Sequence, residues 1–143
     1  NRSASSFLAL INSISFCSSF ASSIFLAFLI PSNFLCRAKK KNDYSTALMI
    51  DQRVTQGIKS NFFNQLASTT TIPAQLIKKF DMPVVPIFIE RNNGINFKIT
   101  INQPLNFPKE ASVKDITDEL NHVLEKMIIY RPEQWIWSHN RWK

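Results

Sequence analysis

The sequence has little cysteine, and its first part has no acidic residue. Cys17 and Cys36 are the only two cysteines among 143 residues, they stand far apart, and neither has a further Cys or His beside it at metal-ligand spacing. Two such cysteines provide neither a disulfide framework nor a zinc site. We therefore expect free thiols in a reducing compartment, with no metal and no cofactor.

Charge is distributed unevenly. No side chain between Ser3 and Cys36 is charged, and every acidic residue lies at Asp43 or later, although the formal net charge of the chain is +7. A basic balance of this kind suits nucleic acid, anionic lipid headgroups or a phosphorylated small molecule. The sequence has no RNP-type motif, no zinc-finger spacing and no long Lys/Arg helix, so nucleic acid is not an expected partner.

The first segment, residues 1–36, is apolar and rich in serine and phenylalanine. Residues 7–30 are long enough for a membrane helix, because about 20 apolar residues cross a bilayer, but Asn12 and six serines weaken that interpretation. A buried or interfacial helix is the alternative, and a frameshifted or decayed stretch is a third. No clear small-x-small cleavage site is present, so a signal peptide is less favoured.

A basic linker over residues 37–43 follows the apolar segment. Such a flank would mark the cytoplasmic side of a membrane and attract anionic lipid. The alternative is a solvated loop. Its cationic residues are Arg37, Lys39, Lys40 and Lys41.

The pattern after this linker is that of an α/β domain. Residues 46–50 form an apolar run of strand length that ends at Asp51, and open α/β sheets place ligand-binding groups at such strand ends. Residues 83–89 are nearly all apolar and predict a strand buried on both faces. The Asn-Asn-Gly sequence at 92–94 predicts a hairpin turn. The next strand alternates polar residues with apolar ones, which predicts one buried face; the apolar ones are Ile95, Phe97, Ile99 and Ile101.

Two helices are predicted in the same region. The first follows the hydroxyl-bearing residues 68–71, which can cap it, and has Pro73 in its first turn. The second starts with a capping box of Ser112 and Asp115. Its His122 falls on the solvated side. Its buried face repeats at helical spacing and consists of Ile116, Leu120, Val123, Leu124 and Met127.

The last residues, 132–143, combine three tryptophans with a proline and several polar groups. This segment, taken with motifs upstream of it, resembles the C-terminus of the bacterial lipid A late acyltransferases, and the order and spacing of the motifs agree with that family. The other matching pieces are residues 48–52, Gly57 and Ile58 before Phe62 and Phe63, residues 67–69, residues 83–91, Leu120 with Asn121, and Leu124 with Glu125.

The resemblance covers residues 44–143 and implies the C-terminal part of a lipid A acyltransferase domain. It implies a partial glycerolipid-acyltransferase-like α/β fold, in which a mixed sheet is flanked by helices. It further implies an acyl carrier protein thioester as donor, a lipid A precursor as acceptor, and a place at the cytoplasmic face of the inner membrane, in contact with the membrane surface.

The catalytic pair of the resembled family is not found in this sequence. There, a His removes the proton of the acceptor hydroxyl and an acidic residue five positions later orients the imidazole. Here Met127 stands five positions after His122, and His139 has too few residues after it. In the family the pair lies well upstream of the strand that ends at Asp51. We therefore expect this chain to be inactive alone; the alternative is a non-catalytic, membrane-associated lipid-binding remnant.

The resemblance also implies the substrate-binding residues. Asp51 takes the position of the acidic residue in the third acyltransferase block, Arg91 follows the strand of the fourth, and Arg2 stands near the place of the second-block arginine. An arginine fork suits a phosphate or a sugar hydroxyl, and a carboxylate can accept sugar hydroxyls. A structural ion pair between Asp51 and Arg91 is the alternative.

The tryptophan segment has two interpretations. Trp135, Trp137 and Trp142, together with Arg141, suit a membrane interface, because tryptophan rings are amphipathic and arginine can meet lipid phosphates. The tryptophans can equally pack over the end of the sheet as core. We expect core packing for at least one of them, with membrane contact as a secondary role.

Overall fold

The structure, a computed structural model, describes residues 48–81, 83–138 and 140–143. The α/β class is confirmed. The apolar segment, the basic linker, Arg2 and His139 lie outside the described residues, so the hypotheses about them stay predictions. The elements, in chain order, are β1 (Ile58–Phe62), β2 (Gln65–Thr69), α1 (Ile72–Phe80), β3 (Ile87–Arg91), β4 (Phe97–Ile101), α2 (Val113–Tyr130) and a 3₁₀ helix (Pro132–Gln134).

The strands form two antiparallel pairs. β1 pairs with β2 through a turn at Phe63 and Asn64, whose φ angles are 52° and 60°. Such angles are favoured by Asn and Gly and are unusual for phenylalanine. Gly57 lies just before β1, and a Cβ there would stand 2.4 Å from the carbonyl oxygen of Thr69. The close approach of the end of β2 therefore requires glycine at this position.

β3 and β4 form the second hairpin, with Ile87 opposite Ile101. The predicted Asn-Asn-Gly turn is confirmed, with Gly94 at φ 58°. β3 is buried on both faces, as its apolar run predicts. It begins at residue 87 rather than 83, because Pro83 and Pro86 have no N–H to donate to a ladder.

β4 differs from its prediction, because its apolar face is not buried. Phe97, Ile99 and Ile101 are 54%, 37% and 50% exposed. Within the described part of the chain, β4 pairs only with β3 and lies at the edge of this small sheet. The prediction of one buried face is therefore wrong for this part of the chain, since alternation shows which side is apolar and not whether another element covers it.

The predicted strand at 46–50 is not formed over its described residues, 48–50. Ile50 nevertheless packs in the core at 2% exposure. Its carbonyl oxygen accepts a hydrogen bond from the guanidinium of Arg141 instead of from a neighbouring strand. This side-chain bond satisfies the buried carbonyl where a ladder is absent.

α1 begins close to its predicted position and has Pro73 in its first turn. The predicted hydroxyl caps are partly wrong. The residue before the helix, Thr71, makes no side-chain capping bond, and residues 68 and 69 belong to β2. Instead the amide of Ile72 donates to Oγ1 of Thr70 at 3.3 Å.

α2 confirms the predicted capping box. The amide of Asp115 donates to the Ser112 hydroxyl, and the amide of Ser112 donates back to the Asp115 carboxylate, both at 3.1 Å. The buried face of α2 packs against β1 and α1 and builds the main core. Full burial of an aliphatic side chain such as Leu124 contributes about 1.5–3 kcal/mol. Neither helix of the described residues has the length and apolarity needed to cross a bilayer.

Candidate functional site

The tryptophan segment folds inward over the β1–β2 hairpin. Trp135 is 5% exposed and meets Phe62 edge-on, with 5.9 Å between ring centroids. The indole of Trp142 donates to the carbonyl of Phe62 at 3.1 Å. The prediction that at least one tryptophan belongs to the core is confirmed. Trp137 is 54% exposed, with its indole N–H on the carbonyl of Pro132, and its contact with a membrane stays a prediction.

Arg141 lies at the centre of the site and is completely buried. Its Nη1 donates to the carbonyl of Ile50 at 2.5 Å, and its Nη2 donates to Oδ1 of Asn121 at 3.1 Å and to Oγ1 of Thr69 at 3.3 Å. The guanidinium also stacks over Phe62, 4.5 Å from the ring centroid. One side chain therefore joins residue 50, the end of β2 and the middle of α2.

The charge of Arg141 is retained despite this burial. Burial lowers the pKa of Arg141 to about 10, and the Asp51 carboxylate acts in the opposite direction. The side chain stays protonated at neutral pH, which lies well below that value. Its Nε has no hydrogen-bond partner among the described residues. A buried charge needs compensation, and Asp51 supplies an opposite charge.

Asn121, on the buried face of α2, extends the cluster to the β1–β2 hairpin. Its side-chain amide donates to Oγ of Ser60 at 2.7 Å, to the carbonyl of Asn61 at 3.1 Å and to Oγ1 of Thr69 at 3.2 Å. Because its oxygen accepts from Arg141, both ends of the amide are satisfied. We call Arg141, Asn121, Ser60 and Thr69 the buried polar cluster.

The buried polar cluster reaches the surface through Asp118. The hydroxyl of Ser60 donates to its carboxylate at 2.6 Å, and Lys114 pairs with the other oxygen at 2.5 Å. Burial raises the pKa of Asp118, but the bonds from Lys114 and Ser60 outweigh it and hold the pKa below its usual value. The carboxylate therefore stays ionised and fixes the orientation of the hydroxyl.

Asp51 and Arg91 occupy different surroundings. Asp51 is half-buried and directly follows the anchored Ile50. Arg91 is held by Gln134, which accepts from its amide at 2.8 Å and donates to its carbonyl at 2.9 Å. The guanidinium of Arg91 lies 5.0 Å from the centroid of Phe97, and its Nε has no partner among the described residues. The hypothesis that Asp51 and Arg91 form an ion pair stays a prediction.

The carboxylate of Glu90, the residue before Arg91, is buried. Glu90 is 2% exposed and pairs with Lys98 at 3.2 Å and with Arg131 at 3.4 Å. Burial raises the pKa of Glu90, but the two cations outweigh it and keep the pKa below its usual value. This arrangement ties β3 to β4 and to the end of α2.

His122 is exposed, with its Nδ1 3.3 Å from a carboxylate oxygen of Glu125. The two residues are three positions apart, which is not the five-residue spacing of the catalytic pair expected from the resemblance. The predicted location of His122 on the solvated side of α2 is confirmed.

A pocket of about 300 Å³ lies at the C-terminal end of α1. Its walls include Ile77, Phe107 and Ile116, with Lys78 and Lys109 among its polar residues. Of the predicted substrate-binding residues that the structure describes, neither Asp51 nor Arg91 lines it. The two lysines are engaged within the protein: Lys78 donates to the carbonyl of residue 111, and Lys109 pairs with Asp81.

Sequence reasoning missed the role of the buried polar cluster. Asn121 and Thr69 belong to motifs that carry the resemblance, but no function follows from that. One usable signal was present: Ser60 stands on the same side of β1 as Phe62, and Asn121 lies between the core positions of α2. A polar residue on a buried face requires a hydrogen-bond partner, although the sequence does not say which.

The family model described as bacterial lipid A biosynthesis acyltransferase matches residues 28–143. The chain therefore belongs to the bacterial lipid A biosynthesis acyltransferase family. The match begins at residue 28, whereas the resemblance carried by the sequence motifs begins at residue 44. No curated protein matches the chain.

Membership defines the general chemistry. The family consists of acyltransferases of lipid A, and hence lipopolysaccharide, biosynthesis, which implies an acyl donor and a lipid A precursor as acceptor. Asp51, Arg91 and the buried polar cluster all fall within the matched range.

Proposed function

We propose that this chain is the acceptor-binding, C-terminal part of a lipid A acyltransferase that uses an acyl carrier protein thioester. The observation that carries the proposal is the position of Asp51: it is half-buried and directly follows Ile50, whose carbonyl is bonded to Arg141, in a chain that belongs to the family. A carboxylate so placed can accept hydrogen bonds from the hydroxyls of a glucosamine acceptor.

Arg91 supplies the complementary charge in this proposal. Its Nε is buried without a partner among the described residues, and its backbone is fixed by Gln134. A guanidinium carried on a fixed backbone suits the phosphate of a lipid A precursor, because its planar group can donate two parallel hydrogen bonds. Arg2 would add a second cation.

The reaction of the intact enzyme follows from these roles and from the family's His/acid pair. The acceptor hydroxyl oxygen attacks the thioester carbonyl, a C–O ester bond forms and the C–S bond breaks. The His takes the hydroxyl proton and returns it to the departing carrier thiolate. No metal takes part. Neither His of this chain has an acidic residue five positions later, so the proposal includes that this chain alone does not transfer acyl groups.

We place the protein at the cytoplasmic face of the inner membrane, in contact with the membrane surface. The family's acceptor is a lipid, and Trp137 exposes an amphipathic ring. Tryptophan favours the headgroup level of a bilayer. The segment 1–36 would add an apolar contact.

The second candidate is a non-catalytic, membrane-associated lipid-binding remnant, a role that needs no His/acid pair. The DNA immediately upstream discriminates between the two. A His codon with an acidic codon five positions later, in frame or one frameshift away, supports a split or truncated acyltransferase. An unrelated upstream sequence supports the remnant.

The binding proposal is tested by titrating the chain with a phosphorylated lipid A precursor in detergent micelles and following tryptophan fluorescence. Asp51→Asn should weaken binding roughly ten- to hundredfold, because the loss of a charge-assisted hydrogen bond removes roughly 1.5–3 kcal/mol. Arg91→Gln should weaken binding similarly.

Glu110→Gln is the matched control, since it removes an exposed carboxylate elsewhere on the surface, and it should bind as the unmodified chain does. Equal affinity in all four proteins would contradict the proposed acceptor site.

A further inference from the structure

We propose that Arg141 is a positioning residue for the acceptor site, because it fixes the backbone at Ile50 and holds the Asp51 carboxylate in place. The inference rests on the proposed role of Asp51, but its first test needs no acceptor. Arg141, a residue of the tryptophan segment, would then act within the protein and not at its surface.

The geometry gives the first argument. Nη1 of Arg141 is bonded to the carbonyl of Ile50, the group that directly precedes Asp51 in the chain. Residues 48–50 do not belong to a strand, so no hydrogen bonds of a sheet hold them. This bond and the packing of the Ile50 side chain in the core connect the backbone before Asp51 to the folded domain. We infer that the bond fixes the direction of the backbone from which the carboxylate extends.

The support behind Arg141 gives the second argument. Nη2 is bonded to Asn121 and Thr69, and the ring of Phe62 lies beneath the guanidinium. A planar fork with donors on two nitrogens can be oriented in this way, whereas a lysine ammonium is a single point charge. The cluster thus holds the guanidinium in one orientation, and through it the neighbouring carboxylate.

Charge gives the third argument. Arg141 is completely buried, stays protonated at neutral pH and has a buried Nε without a partner among the described residues. A structural role alone is served at lower cost by an apolar side chain of similar volume, because burying a charge is unfavourable. We therefore expect the buried charge of Arg141 to act on the Asp51 carboxylate, whose own charge favours the protonated guanidinium.

The first test is an NMR measurement on the full chain without ligand. The guanidinium ¹⁵Nε–H signal of Arg141 is assigned by its loss in Arg141→Lys. Asp51→Asn should shift this signal and speed its exchange with solvent, and should leave the signal of Arg131 in place. Asp51 is only half-buried, so the Asp51→Asn variant should fold.

The matched control is Glu90→Gln. Glu90 pairs with Arg131, so this variant should move the signal of Arg131 and leave that of Arg141 in place. An Arg141 signal that is the same in Asp51→Asn and in the unmodified chain would overturn the inference. The proposed acceptor binding by Asp51 would still stand, because it is measured separately.

The second test separates positioning from stability. Arg141→Lys keeps the charge but cannot reproduce the fork, so the folded variant should bind the phosphorylated lipid A precursor about tenfold more weakly. The control Arg131→Lys should bind as the unmodified chain does. Binding is measured on protein shown to be folded by circular dichroism. Unchanged affinity of folded Arg141→Lys would show a structural role only and overturn the inference.

Discussion

Replacing Asn121 by Leu is expected to destabilise the protein by about 3–5 kcal/mol. The side chain is completely buried and makes four hydrogen bonds, one of them with the charged Arg141. Leucine has a similar volume but no polar atom, so Ser60, Thr69 and Arg141 each lose a partner in the core. An unsatisfied buried polar group costs about 1–3 kcal/mol, and a charged one more. Urea unfolding followed by far-ultraviolet circular dichroism measures the loss.

Glu119→Leu provides the comparison for Asn121→Leu. It places the same side chain at an exposed position of α2, where surface substitutions change stability by about 0.5 kcal/mol or less. A loss in Asn121→Leu no larger than that in Glu119→Leu would contradict the role of the buried polar cluster.

Trp135→Ala is expected to destabilise the protein by about 3–5 kcal/mol, the range found for truncating large aromatic side chains in cores. Trp135 packs edge-on against Phe62, Trp137 and Trp142, with centroid distances of 5.9, 4.7 and 6.2 Å. Its removal opens a cavity between the tryptophan segment and the β1–β2 hairpin. Urea unfolding again gives the free energy of unfolding.

Trp137→Ala is the matched control, since it makes the same substitution two residues away at an exposed position. It should cost about 1–2 kcal/mol, clearly less than Trp135→Ala, because more than half of the Trp137 side chain remains in water. Similar losses in Trp135→Ala and Trp137→Ala would mean that the tail does not pack on the domain as described.

The parts of the fold set by local rules were predictable from the sequence. The capping box of Ser112 and Asp115, the turn at residues 92–94 and the burial of β3 all follow from short patterns with a direct physical cause. The β1–β2 hairpin was not predicted, because its turn uses Phe63 and Asn64 in place of the Asn-Gly sequence that positive φ angles favour.

The parts that depend on contacts between distant residues could not be predicted. An arginine between asparagine and tryptophan near the end of a basic chain suggests exposure, yet Arg141 is completely buried. Its acceptors stand at residues 50, 69 and 121, and no local pattern relates them. The exposure of the apolar face of β4 could not be predicted for the same reason, since periodicity identifies an apolar face but not the element that packs on it.

The roles of the candidate site residues stay predictions. Asp51 and Arg91 were selected by resemblance, and both fall within the family match. Asp51 lies beside the cation of Arg141, a residue that the sequence placed with the membrane-interface group. Of that group, Trp137 is the tryptophan most exposed in the described part of the chain, and Trp135 and Arg141 belong to the interior.

The most direct test of the central claim measures binding and transfer in one sample. The chain is saturated with a phosphorylated lipid A precursor, supplied with a radiolabelled acyl carrier protein thioester, and the lipids are separated. We expect the precursor to bind and no labelled acyl chain to reach it, because we propose that these residues bind the acceptor, and neither His122 nor His139 has an acidic residue five positions later. Labelled lipid product formed by this chain alone would contradict the claim and place a catalytic base within these residues.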